Sequence, residues 1–573
     1  MAKFVIGLAT GILLVFACLF LLFFAALRFR VRPPEVANNS VLVMRLSGDL
    51  PERSSVEIPF LSEGPGLTVS NVWMAFRKAA VDPHIKAIVF EPQGLTAGWG
   101  KLQELRHDIE EFRKSGKPVF AYLRTPSSRE YYAAAGADRI YLGPADQMYL
   151  KGLRAEIMYY KNALDKLGVT VYVEHAGKYK DYGDQFTRSD MSPATREQVT
   201  SMVDGIYGDL VNGIAAGRKK TPDQVTDLIN AGLFLAPEVK KAGLIDGVRF
   251  EDQMWGELKS RLNSGELKRI SLESYVRVPP RQAGLNVGKN RVALVVAEGD
   301  IVQGDPGIPL EDEESLTSTS FDKVLEQVGN DSTIRGVIVR IDSPGGEVLA
   351  SDDIWREMNL VSKKKPMVIS MSDVAASGGY YMAMTGDPIV AYPGTETGSI
   401  GVVFGKPDLK GLYNKIGITK DGVERGKYAD IDSDYTPLTP DEQQKLRQGI
   451  DASYEDFVAK VAAARRRTPS QIDAVAQGRV WLGSQAKDEG LVDELGGIDT
   501  AIALLKKKAG LAATESVTIE TYPAPRSLLD LLTRRSQEDI LESKLRQMFH
   551  GAPFRAWMHG GMLRMAPYWI SIK

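Results

Sequence analysis

Two glycine-rich turns carry the residues best suited to nucleophilic chemistry. Asp342-Ser343-Pro344-Gly345-Gly346 directly follows the apolar run GVIVRI, and Ala375-Ala376-Ser377-Gly378-Gly379-Tyr380 follows the next such run, KPMVISM. Paired glycines at a strand-to-helix turn let backbone N–H groups approach a ligand closely, as an oxyanion hole requires, so Gly345, Gly346 and Gly378 are the candidate donors. Alone, the first turn reads as an ordinary tight turn. In the second, a serine among small residues at the head of a helix is well placed to attack, with the helix N-terminus favouring the negative charge that develops. Ser377 is the candidate nucleophile; the competing reading is a small residue packed under a helix.

A serine nucleophile needs a base. The histidines are His84, His107, His175, His550 and His559, so none lies between 176 and 549. A serine–histidine–aspartate triad must then draw its histidine from elsewhere in the chain, and His175 is the alternative of that kind. An internal repeat proposes a different base. Tyr131-Tyr132 recurs as Tyr380-Tyr381 and Gly177-Lys178-Tyr179 as Gly426-Lys427-Tyr428, each 249 positions later; GLID at 243–246 recurs as GLVD at 490–493. So ordered a series indicates an ancient duplication. In this register Ser128 matches Ser377 but lacks the following glycines, while Lys180 matches Ala429. One copy holds the furnished serine and the other holds the lysine, the pattern that a single site built from both copies would leave. A lysine acts as base only when neutral, so its pKa must fall from about 10.4 to roughly 7–8, which burial can supply. The competing reading of Lys180 is a surface lysine. Ser399, in TGSIG, faces Leu150 in the other copy; it is placed either to hydrogen-bond the lysine amine or to shape a turn.

Alternating elements must position these groups. KAIVF, KPVFAYL and RIYLG in the first copy match GVIVRI, KPMVISM and PIVAYP in the second, and between them lie stretches such as KLQELRHDIEEFRKSG with apolar residues at helical spacing. Strands alternating with helices predict an α/β fold with largely parallel sheets, here in tandem. The expected organisation is an N-terminal flank at 1–3, a transmembrane anchor at 4–27, a stalk at 28–40, the lysine-bearing repeat at 41–275, a linker at 276–290, the serine-bearing repeat at 291–521 and a docking or oligomerisation tail at 522–573.

Composition narrows the chemistry further. The chain has 573 residues, 44% of them hydrophobic, which is ample for sizeable cores. Lys+Arg 71 against Asp+Glu 73 gives a net charge of -2, with no basic excess to suggest nucleic acid. The lone cysteine, Cys18, rules out an intrachain disulfide framework and a cysteine-based zinc site. No metal or organic cofactor is expected. Phe4 to Leu27 is uncharged; as a helix at about 1.5 Å per residue it reaches roughly 36 Å, enough to cross a bilayer, and it is longer than the apolar core of a cleaved signal peptide. Arg28, Arg30 and Arg32 beyond it, against Lys3 before it, weakly favour a cytoplasmic C-terminal part. Glu311-Asp312-Glu313-Glu314 reads as a solvated acidic rim.

The set SPGG, AASGGYY, TGSIG and GKYKD, in a duplicated chain behind an apolar N-terminus, resembles the SppA family of signal peptide peptidases in its long, double-domain form, over about residues 40 to 510. The resemblance implies tandem Clp protease/crotonase-like domains and a Ser-Lys dyad peptidase with Ser377 as nucleophile and Lys180 as general base. It also implies homotetramers on the bacterial inner membrane, with sites facing the periplasm and cleaved signal peptides as substrates; long domains translocate largely regardless of flanking charge, so this orientation is kept over the arginine cluster. The rivals are an acyl-CoA enzyme of the crotonase type, which shares the paired-glycine oxyanion logic without needing Ser377, and a catalytically silent membrane scaffold.

Overall fold

The computed structural model describes residues 33–54, 66–232, 234–304, 315–524, 562–565 and 571–572, with a few isolated positions between 7 and 18. The expected anchor at 4–27 therefore lies almost wholly outside the described residues, as do the arginine cluster, the acidic rim and most of the tail. Among the described residues, no helix is long and apolar enough to cross a membrane.

Two parallel sheets form the centre of the molecule. The first runs in the order Lys268–Ser271, Ser40–Gly48, Ile85–Leu95, Val119–Leu123, Arg139–Leu142 and Gly247–Val248. The second contains the same series one repeat later: Val517–Tyr522, Asn290–Glu298, Ile334–Ser343, Met367–Ala376, Ile389–Ala391 and Glu494–Leu495, again parallel at every pairing. The duplication read from the text is thus repeated in the strand order. Val337, Ile338 and Val339 are buried in succession, as are Val368 and Ile369, because helices cover both faces of a parallel sheet and leave no polar side.

The strand Met367–Ala376 is the element that aims Ser377. Its first half pairs with Ile334–Ser343, but the register slips between Ile341 and Ser343, where Ile341 faces Met371 and Ser343 faces Ala375. Beyond the slip the strand also pairs with Glu396–Gly398, so that Ala376 faces Gly398. Two strand ends, leading to Ser377 and to Ser399, are thereby laid side by side. Thr395 and Thr397 pin that arrangement by donating hydroxyl hydrogen bonds to Ser372 O at 2.6 Å and Ala375 O at 2.7 Å.

A third, smaller sheet joins the repeats. Thr170–Ala176 of the first repeat pairs antiparallel with Val402–Asp408 of the second, from Ala176 opposite Val402 to Thr170 opposite Asp408. Buried charges interlock the repeats as well. Arg340 is fully buried and bridges Glu52 and Glu104 of the first repeat while bonding Ser370 and Ser372. Asp373 accepts from the Gly98 and Lys101 amides at 2.7 Å each, capping the helix Trp99–Arg113 of the other repeat. These contacts hold Met367–Ala376, and the serine after it, at a set position relative to the first repeat.

Candidate active site

Ser377 sits between Met367–Ala376 and the short helix Gly378–Met382 with φ 53° and ψ −112°, a backbone conformation that L-residues rarely adopt. Holding a non-glycine residue there costs about 1–3 kcal/mol and persists only when the surroundings over-determine it. They do so here: Ser377 N donates to Gly398 O at 2.8 Å, and Ser377 O accepts from Tyr381 N at 2.8 Å. The side chain that results is completely buried.

Lys180 reaches the same point from the first repeat. It follows the strand Thr170–Ala176 through Gly177, whose φ of 109° permits the sharp exit from the inter-repeat ladder. Tyr179 N donates to Gln477 O at 2.8 Å, fastening this exit to the second repeat. Lys180 is also completely buried, and its Nζ lies 2.8 Å from Ser377 Oγ, 2.9 Å from Ser399 Oγ and 3.0 Å from Ser399 O. Ser399 has φ 50°, and its amide donates to Arg479 O at 2.7 Å, which turns both oxygens toward the amine. Burial disfavours an ammonium relative to a neutral amine, the form a base requires.

Two glycines that sequence reasoning passed over form the wall behind this lysine. A Cβ on Gly401 would sit 3.0 Å from Lys180 Cδ, and one on Gly478 would sit 2.6 Å from Lys180 Cβ and N. The requirement arises across the repeats, so comparing the copies with each other could not reveal it. The second copy's counterpart of the lysine loop shows the contrast. Gly426 has the same φ of 109° as Gly177, but a Cβ there would meet nothing within 4 Å, and Tyr428 and Ala429 are exposed. His175, the alternative base, faces Gly177 O at 3.1 Å with Nδ1 and has no hydrogen bond to Ser377.

The candidate oxyanion donors lie close by and are not equivalent. A Cβ on Gly378 would sit 3.1 Å from both Gly345 Cα and Gly346 N, so the two glycine turns touch. The Gly345 amide, however, donates to Ser343 Oγ at 3.2 Å and is already engaged. Gly346 is confined by the Ile301 carbonyl, which a Cβ would overlap. The Gly378 amide opens a helix, where first-turn N–H groups lack intrahelical partners. Among the described residues there is no group of His, Cys, Asp and Glu able to hold a metal ion.

A family model for peptidase family S49 matches the chain twice, over residues 111–264 and 359–512, more than half of its length. The chain belongs to peptidase family S49. Among the relatives of this S49 peptidase, the chloroplastic serine protease SPPA of Arabidopsis thaliana is 35% identical over 512 residues, covering 87% of this chain and 74% of that protein. Protease 4 of Salmonella typhi is 33% identical, covering 80% and 74%, and protease 4 of Haemophilus influenzae is 32% identical, covering 82% and 76%. This S49 peptidase is thus a serine peptidase of the tandem-domain SppA type. Among solved structures, a ClpP1 mutant from Listeria monocytogenes aligns with 37% of this chain and 94% of its own at 16% identity, with a TM-score of 0.23. So low a score carries no argument, and the α/β description rests on the strand pairing above.

Proposed function

We propose that the protein is a membrane-anchored endopeptidase in which Ser377 attacks the peptide carbonyl and Lys180 is the general base. The observation that carries this reading is the 2.8 Å separation of Lys180 Nζ and Ser377 Oγ, both fully buried, with Ser399 holding the amine from two further directions. The neutral amine takes the hydroxyl proton as Oγ bonds to the carbonyl carbon. Backbone N–H groups at Gly378 and Gly346 stabilise the oxyanion, and the proton passes to the leaving amine as the C–N bond breaks. Water then cleaves the acyl-enzyme with Lys180 again as base. Extended, largely apolar peptides, cleaved signal peptides among them, are the substrates. The uncharged run from Phe4 to Leu27 supports an inner-membrane anchor with the site on the periplasmic side and assembly as a homotetramer, as the SppA resemblance implies.

A serine-reactive fluorophosphonate, applied across pH 6–10, tests the dyad. Wild type should label at a rate rising through an apparent pKa below the roughly 10.4 of free lysine. Ser377→Ala should not label, and Lys180→Met should label at least about 100-fold more slowly. Labelling of Lys180→Met at the wild-type rate would remove lysine from the mechanism.

A further inference from the structure

The small inter-repeat sheet contains a strand from neither repeat. Met562–Met565, near the C-terminus, runs antiparallel to Gly345–Glu347 on one side and to Val402–Asp408 on the other. Met565 faces Gly345, Arg564 faces Gly346 and Leu563 faces Glu347; across the opposite ladder Leu563 faces Val403 and Met562 faces Phe404. Without this segment, two strand edges would face each other across the width of one strand, about 10 Å. The candidate oxyanion turn lies on one rim, and Gly345 borders the turn that carries Ser377. An extended peptide captured by main-chain hydrogen bonds and alternate side-chain pockets is what such a slot accepts.

The side chains show the chemistry of those pockets. Leu563 and Met565, two positions apart and so on one face, are buried among Tyr182, Val403, Val173 and Phe186. Met562, on the opposite face, packs against the Phe404 and Ile450 cluster.

We infer that Met562–Met565 occupies the peptide-binding slot of the enzyme and competes with substrate, and that the slot selects extended peptides with apolar residues two apart. The inference rests on the peptidase reading above. Substrate enters only when the segment leaves, so the C-terminal segment sets the apparent affinity without taking part in bond cleavage. A tethered segment has an effective concentration on the order of 1 mM, so if the free peptide binds with a Kd of about 0.1 mM, disabling the segment strengthens apparent peptide affinity about tenfold.

The test uses the full chain with Leu563→Asp and Met565→Asp together, and a chain ending at Gly561 should that pair fail to fold. First, a fluorescein-labelled peptide of residues 561–567, GMLRMAP, is titrated by anisotropy against Ser377→Ala chains with and without the tail substitutions. Binding about tenfold tighter to the substituted chain is expected, and equal binding overturns the proposal. Second, hydrolysis of an unrelated apolar peptide should show KM falling about tenfold with kcat unchanged; unchanged KM in active enzyme overturns it. If no chain hydrolyses peptide, the peptidase reading fails, while the anisotropy arm still decides the slot. Finally, intact mass should show residues 566–573 retained in wild type; their loss in wild type but not in Ser377→Ala would make the segment a substrate and overturn its role as a standing competitor.

Discussion

Substitution of Gly478 by alanine is expected to silence the enzyme while leaving it folded. A Cβ there would lie 2.6 Å from both Cβ and N of Lys180 and 2.8 Å from Cα, against backbone held by the Tyr179–Gln477 hydrogen bond. Relief to ordinary contact near 3.6 Å requires a shift of about 1 Å. Transmitted along the lysine, that shift lengthens the 2.8 Å contact to Ser377 Oγ beyond hydrogen-bonding reach. Misplacement of a catalytic group by about 1 Å costs about 100-fold in rate. Gly478 also has φ 75°, so alanine adds backbone strain of about 1 kcal/mol. Gly116→Ala separates the two effects, because Gly116 has φ 81° and nothing within 4 Å of its Cβ position. Fluorophosphonate labelling rate and Tm should be measured on both variants. The expected result is similar modest drops in Tm, with labelling about 100-fold slower in Gly478→Ala and unchanged in Gly116→Ala. A folded Gly478→Ala labelling within threefold of wild type would refute the reasoning, since the lysine would then not need this wall.

Ser399→Ala removes one hydroxyl contact to Lys180 Nζ but keeps the Ser399 carbonyl contact, so kcat/KM should fall about tenfold and not vanish. Arg340→Met leaves Glu52 and Glu104 buried without their cation; thermal or denaturant unfolding should show a loss of about 3–5 kcal/mol, larger than for any single exposed ion pair. Burial, with Asp373 and Asp342 nearby, pushes the Glu396 carboxyl up to about 8. The folded state therefore holds this proton after the unfolded chain has lost it, and the resulting stability, fully present below about pH 4.3, is lost as pH rises toward 8. Glu396→Gln should remove that slope, raising Tm relative to wild type at pH 8.5 by more than it does at pH 4.5.

The alternating apolar runs located the central strands because parallel strands buried on both faces are written as near-continuous Val and Ile, as in GVIVRI. Ser377 and Lys180 stood out through local features, a serine before two glycines and a lysine missing from one copy. What escaped notice depends on contacts between distant segments. Gly478 is small because of Lys180, nearly three hundred residues earlier. The Gly345 amide is engaged because the Ser343 side chain folds back on it, a rotamer choice that spacing does not encode. Met562–Met565 has four residues and no polar alternation, so only its two partner edges mark it as a strand. The stretch Thr170–Ala176 is readable as a strand, but its partner in the other repeat is not, because antiparallel pairing leaves no shared motif.

That pairing of Thr170–Ala176 with Val402–Asp408 also determines how the activity responds to dilution. A polypeptide with one repeat would have to find the opposite strand, and with it the missing half of the proton-transfer pair, on a second molecule. Its working fraction would then fall with concentration. Joining both strands in one polypeptide turns that encounter into an intramolecular closure at fixed effective molarity. The assembled lysine and serine should therefore persist at copy numbers where a bimolecular site would come apart, and each half is free to lose the groups that the other supplies.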